Sequence, residues 1–375
     1  MTDEKDVQNA QTETEEDAEA RRAARRAARK ARRAARANQP RESENVRMVR
    51  GIIPSIIEAT STAIEEGPEL KGIRIAIPHH KDRSTSVDVW LHPALSANRP
   101  LVLDLHGGGF AVGDSRQNDA LCQWIRDSWD VNVVSVDYRL APKYPWPAQI
   151  EDVNDCMHWL RDFGHLFDVD VSHIYVQGYS AGANLAVSSM IASDREGAPM
   201  PQGMILHYPF FDAAADPAKR PHRDIDLSVD VMCAFNAFYV GQNDPKNPLI
   251  SPVFASDEDL KQLPPMVMLP VEGDCLQAEA HALADHVNAI GGTCEVHDIP
   301  GAYHGYIEDA ANVQVYEAIS VPEQIAARPG DYRQLAARAV AGGLADFLGD
   351  PINKVLFPGE IAVSRGEDGI MQVEE

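Results

Sequence analysis

The chain has 375 residues, 44% of them hydrophobic and 24% charged, which is ample apolar material for a large core and excludes disorder throughout. Its net charge of −23 argues against nucleic acid as the main partner, because a phosphate backbone would repel such a surface. Five cysteines, an odd number with no CxxC, suit neither a disulfide framework nor a structural zinc site, and point to a reducing cytoplasm.

The charge is unevenly placed: residues 1–40 hold eight acids and ten bases, leaving 49 acids against 24 bases in the remainder. Residues 1–20 are acidic and polar. The segment Arg21–Arg36 repeats RRAA-like units of good helix formers that offer no apolar face to bury. It reads as a solvated appendage, with contact to an anionic membrane or RNA as the competing reading. No apolar run follows the arginines, so no secretory signal is expected. No stretch approaches the ~20 apolar residues that span a bilayer.

From Val46 to Glu66, apolar residues return at helical spacing, with Pro54 near a start or kink and Gly67-Pro68 ending the run. The runs Ile73–Ile77 and Val87–Leu91 alternate with period two and predict an antiparallel hairpin. A strand–helix alternation follows, with strands at 101–105, 131–136, 174–176, 204–207, 266–271 and 294–299. Helices are predicted at 121–129, 150–163, up to Ile191, and at 278–290. This rhythm predicts a mostly parallel, mixed sheet with helices on both faces. Between Asp212 and Pro265 it is interrupted by Pro217, Pro221, Pro245, Pro248 and Pro252 around a helical patch, Val229–Tyr239. A second irregular stretch, 310–330, precedes a closing helix at 332–348.

Two segments carry chemistry. Gly178-Tyr179-Ser180-Ala181-Gly182 lies between a strand and a helix, where G-x-S-x-G forms a sharp turn that lifts the serine hydroxyl above the sheet. Ser180 as an ordinary helix N-cap is the alternative. Upstream, His106-Gly107-Gly108-Gly109-Phe110 follows another strand. Its glycines leave backbone N–H groups free to meet a developing oxyanion, or else form a plain glycine-rich turn.

These blocks resemble the hormone-sensitive-lipase-like branch of the α/β-hydrolase superfamily, as do Asp137-Tyr138-Arg139-Leu140-Ala141-Pro142 and Tyr144-Pro145-Trp146-Pro147-Ala148 between them. The likeness covers roughly residues 70–350 and implies an α/β-hydrolase fold with a helical cap. It also implies a carboxylesterase working through a serine, an acid and a histidine in that order. Glu272-Gly273-Asp274-Cys275-Leu276 resembles the family's Asp-Pro-Leu segment, which makes Asp274 the acid, with Glu272 as fallback. A helix N-cap role for Asp274 remains open. Gly301-Ala302-Tyr303-His304-Gly305-Tyr306 resembles the family's His-Gly-Phe segment and makes His304 the base. The oxyanion hole would be the N–H groups of Gly108, Gly109 and Ala181. Tyr138 and Asn184 either touch the site or serve packing.

The implied division is an appendage at 1–40, a hydrolase domain at 41–350 capped from 41–70 and 212–265, and a tail at 351–375. Met232, Phe235, Phe238 and Tyr239 form a stripe on the cap that faces either an acyl chain or the cap's own core. The expected substrates are small-molecule esters of small to medium acyl chains. The rivals are an amidase or peptidase using the same three residues and a binding protein that has lost catalysis. No metal or organic cofactor is implied. His79, His80, His281 and His286 read as surface or packing residues. The sequence is compatible with a homo-oligomer and sets no oligomeric state.

Overall fold

A computed structural model describes residues 44–65, 69–223, 225–311, 343, 362–365 and 371–374. Contacts divide the chain between Glu44 and Asn45, and the sheet and the functional site both belong to the second unit, Asn45–Glu375. The expected appendage at 1–40 lies outside the described residues, as do the stretch 312–330 and, apart from the helical and buried Gly343, the closing helix at 332–348.

Eight strands form one sheet in the order β1-β2-β4-β3-β5-β6-β7-β8. They are β1 Ile73–Pro78, β2 Ser86–His92, β3 Arg99–Leu105, β4 Asn132–Asp137, β5 Val169–Tyr179, β6 Gly203–His207, β7 Met266–Leu269 and β8 Cys294–Val296. The first two form the expected hairpin, with Ile75 opposite Val89, and β2 runs antiparallel to β4. The remaining pairings are parallel. Crossovers supply helices α2 Asp119–Trp129, α3 Ala148–Phe163, α4 Ala181–Arg195 and α7 Gln277–Ala289, while α1 Glu44–Glu65 precedes the sheet. The cap connection holds α5 Val229–Val240 and α6 Asp257–Lys261, and α8 Tyr306–Ala311 follows β8. In the region expected as a tail, β9 Ala362–Arg365 and β10 Met371–Glu374 pair antiparallel. No helix among the described residues is long and apolar enough to cross a membrane.

Alternation along each strand feeds two cores. Leu101, Leu103 and Leu105 of β3 pack with α3 and α4 residues such as Val153, Met157 and Leu185. Val102 points the other way, into a layer with Leu121, Ile125 and Trp129 of α2. β5 runs well past the three apolar residues 174–176 in both directions. Its later part escapes a hydropathy reading because Gln177 is polar yet fully buried, donating to Asp104 at 2.7 Å. The Asp104 side chain also accepts from Asn118 and Ser135, each at 3.0 Å, so this buried acid of the sheet is met by three neutral donors.

α4 packs so close under the sheet edge that glycine is obligatory at its start. A Cβ on Gly182 would lie 2.0 Å from the Leu105 carbonyl oxygen and 2.5 Å from that of His106, and one on Gly178 would lie 2.3 Å from the Gly182 oxygen. We expect Gly182→Ala to destabilise the fold by about 3 kcal/mol, since backbone rather than a pliable side chain must move. A urea midpoint equal to that of the wild type would contradict this packing.

Candidate active site

Parallel strands β3, β5, β7 and β8 end at one edge of the sheet, and the segments leaving them meet there. Ser180 follows β5 with φ 52° and ψ −112°, a left-handed conformation uncommon outside glycine. The end of β6 and the segment after it hold it there: its N–H donates to the His207 carbonyl at 2.9 Å, and its own carbonyl accepts from the Phe210 N–H at 3.3 Å. Ser180 occupies the N-cap position of α4 but makes no capping hydrogen bond with its side chain. The hydroxyl is instead 2.8 Å from His304 Nε2.

His304 follows β8, and its Nδ1 lies 2.8 Å from Asp274 Oδ2. The Ser180, His304 and Asp274 side chains therefore form one continuous hydrogen-bonded chain, closed off from water, with the imidazole side chain 6% exposed and the carboxylate 1%. Burial disfavours the imidazolium, but the charge and hydrogen bond of Asp274, helped by Glu308 and Asp226, prevail and raise the pKa of His304 above the ordinary histidine value. Burial likewise disfavours the Asp274 carboxylate, and His304 with neighbouring donors pulls its pKa below the usual range. Asp274 is not the N-cap of α7, a position held by Leu276, because the chain turns into the helix two residues later. The fallback acid, Glu272, is exposed and outside the chain of bonds.

The glycine loop leaves β3 with three successive positive φ angles, Gly108 at 105°, Gly109 at 58° and Phe110 at 61°. A Cβ on Gly108 would collide with the Val112 carbonyl oxygen at 2.1 Å, so the turn itself requires glycine. Tyr138 proves to be a brace. Its ring stacks on His106 at 4.1 Å, and its hydroxyl donates to the His106 carbonyl at 2.7 Å. Asn184 donates to the Ile250 carbonyl at 3.0 Å, a packing role.

Gly109, Ser180 and Ala181 line a shared cavity of about 30 Å³ closed by Phe210, Leu227, Met232, Phe235 and Leu276, whereas Gly108 is not part of that lining. Ala181 opens α4, so its N–H belongs to the first turn, where helix donors lack intrahelical partners. The cap stripe divides. Met232 and Phe235 face the cavity, Phe238 packs with Val46, Val49 and Ile53 of α1, and Tyr239 stacks on Phe110 at 3.6 Å.

Several contributors carry no local motif. Arg220 and Glu279 form a buried pair at 2.6 Å that ties the cap connection to α7, and Glu279 also accepts from the Phe211 N–H at 2.6 Å. Burial pushes the Glu279 carboxyl up to about 7 despite Arg220. Glu308, four residues after His304, accepts from the Gly107 N–H at 2.7 Å. His222, Asp226 and Cys275 bring donor atoms within 4.8 Å of one another. Arg223 already holds that aspartate through Nε at 3.1 Å and Nη2 at 2.9 Å, so a cation there would face a fixed positive charge. Of the four histidines read as surface or packing residues, His79 pairs with Asp155, His281 with Asp298 and His286 with Asp257, all away from the site, and the His80 backbone N–H donates to Asp155 at 3.1 Å. All five cysteines are free thiols.

A family model of the alpha/beta hydrolase fold matches residues 102–308. The chain is 35% identical over 215 residues to Esterase LipI of Mycobacterium tuberculosis, a match covering 56% of this chain and 67% of that protein. It is 32% identical over 248 residues to Carboxylesterase NlhH of the same organism, covering 65% and 77%. Among solved structures, an esterase of Pyrobaculum calidifontis superposes with a TM-score of 0.64 at 25% identity, over 80% of this chain and 94% of that one. A strand-to-helix serine, a glycine loop beside it and relatives of this kind together place the chain among the hormone-sensitive-lipase-like carboxylesterases of the α/β-hydrolase fold, enzymes that hydrolyse esters.

Proposed function

We propose that the protein hydrolyses carboxylic esters of small to medium acyl chains by way of an acyl-enzyme on Ser180. The observation that carries this reading is the unbroken chain from Ser180 Oγ to His304 and on to Asp274, with both links at 2.8 Å. In it, His304 accepts the serine proton as Oγ attacks the carbonyl carbon, then returns it to the leaving alcohol. Asp274 holds the imidazole in the productive tautomer and offsets the imidazolium charge. The carbonyl oxygen, now anionic, is met by the N–H groups of Ala181, Gly108 and Gly109. Water then attacks the acyl-enzyme, with His304 again as base, and releases the acid.

The acyl range follows from the cap, which we take to comprise residues 41–70 and 212–265. A cavity of about 30 Å³ beside Ser180 holds little more than one water, so even a short acyl chain must displace a wall. Phe235 is the wall that closes on the glycine loop: a Cβ on Gly109 would lie 2.0 Å from its ring. Phe235→Ala is expected to raise kcat/KM for p-nitrophenyl octanoate relative to acetate by about tenfold, in line with the worth of methylenes in an apolar pocket. An unchanged ratio would remove Phe235 from the acyl pocket.

Hydrolysis of p-nitrophenyl esters from acetate to decanoate, with mass spectrometry of the fluorophosphonate-treated protein, tests the whole reading. Turnover highest on short chains and a single adduct on Ser180 are expected. An adduct elsewhere would refute the nucleophile, and an optimum at decanoate would refute the acyl range.

A further inference from the structure

The glycine loop is gripped from two sides. On one, Tyr138 and His106 stack and the tyrosine hydroxyl binds the loop's carbonyls, at 2.7 Å to His106 and 3.3 Å to Gly107. On the other, the Glu308 carboxylate of α8 takes the Gly107 N–H at 2.7 Å, in a contact between residues 201 positions apart. The fit is close enough that a Cβ on Gly107 would lie 2.6 Å from Glu308 Oε2. Gly107 is bonded directly to Gly108, so the peptide fastened by Glu308 is the one next to the amides assigned to the oxyanion. α8 begins two residues after His304, so the same short helix is continuous with the loop that carries the base.

From this juxtaposition we infer that Glu308 is a positioning residue that locks the glycine loop in register with the His304 loop, so that oxyanion donors and base converge on one carbonyl. The inference rests on the assignment of Ser180 as nucleophile. An acceptor of the right reach fixes the Gly107 N–H and with it the loop, and a preorganised donor array loses its advantage when allowed to rotate. Glu308 acts through the loop amide that it holds, so its effect is on transition-state geometry rather than on binding the ester.

Two conservative variants separate reach from charge. Glu308→Asp keeps the charge but draws the carboxylate back by one methylene, whereas Glu308→Gln keeps an oxygen at the right length and gives up the charge. For Glu308→Asp we expect kcat to fall about 10–100-fold with KM changed less than about twofold, part of the 10²–10³ that loss of a whole oxyanion donor costs. The second-order rate of Ser180 labelling by a fluorophosphonate should fall by the same factor. Glu308→Gln should recover most of that loss. Its acid limb should also move to lower pH, since of the charges facing His304, namely Asp274, Asp226 and Glu308, one has been removed while Tyr208 packs edge-on unchanged.

Wild-type kcat and labelling rate in Glu308→Asp, or Glu308→Gln falling as far as Glu308→Asp, would overturn the inference. Melting temperatures of both variants show whether any loss reflects unfolding, and because the two differ in reach and charge alone, their order decides the matter even if both are somewhat destabilised. Wild-type protein that resists labelling at Ser180 would overturn the nucleophile assignment, and this inference with it. Normal labelling of the wild type with an unaffected Glu308→Asp variant would overturn this inference alone.

Discussion

Replacing Ser180 by alanine should lower kcat on p-nitrophenyl acetate by at least about 10⁴-fold and leave the fold intact. Both halves of that expectation come from the backbone. The serine side chain caps nothing at the start of α4, and its own N–H and carbonyl are held by His207 and Phe210, so removing Oγ deletes no bond that shapes the turn. What vanishes is the atom proposed to accept the acyl group. The N–H groups around it persist and continue to polarise a bound carbonyl, which is why a residue of activity above the uncatalysed rate is expected. Thermal melting superimposable on wild type with activity lost is the outcome sought; retention of more than about a hundredth of kcat would mean another nucleophile carries the reaction.

The second large effect is expected from Asp274→Asn, about 10³–10⁴-fold in kcat, because the amide can fill the space but presents the wrong partner to His304 Nδ1 and cannot offset an imidazolium. The pH profile carries a sign of its own. In the wild type, activity is expected to fall as pH drops through a histidine pKa held above its ordinary value, mainly by Asp274 acting against burial. Removing the carboxylate lets burial prevail, so the remaining activity of Asp274→Asn should persist to lower pH. Glu272→Gln is the control. Its side chain is exposed and its carbonyl is engaged by Arg223 at 2.9 Å, so kcat should stay within about twofold. Equal losses in the two variants would exchange their roles.

Much of this site is legible in sequence because its chemistry sits in short motifs at strand ends. Ser180, the glycines and the alternation of strands and helices follow from local pattern, and Asp274 and His304 follow from resemblance at segments after strands. What local pattern does not reveal is contact between distant segments. Glu308 looks like any helical acid until the fold sets it against Gly107, and Arg220 and Glu279 give no signal taken separately. The cap stripe shows a related limit: helical spacing identifies an apolar face, but Phe235 and Phe238 lie on opposite sides of the question of what that face meets. β5 is longer than its apolar run because the burial of Gln177 is offset by its bond to Asp104, a compensation visible only in three dimensions.

The partners of the site are spread far along the chain: Ser180 and His304 are 124 positions apart, and Gly107 and Glu308 are 201 apart. A chain shortened before His304 would therefore present the serine turn without the residue proposed as its base. Contacts between segments so far apart raise the contact order, so the complete centre is expected to form after the local helix and hairpin contacts. The proposed catalytic geometry is thus expected only once the chain through Glu308 is in place, as a property of the assembled sheet edge rather than of the serine turn alone.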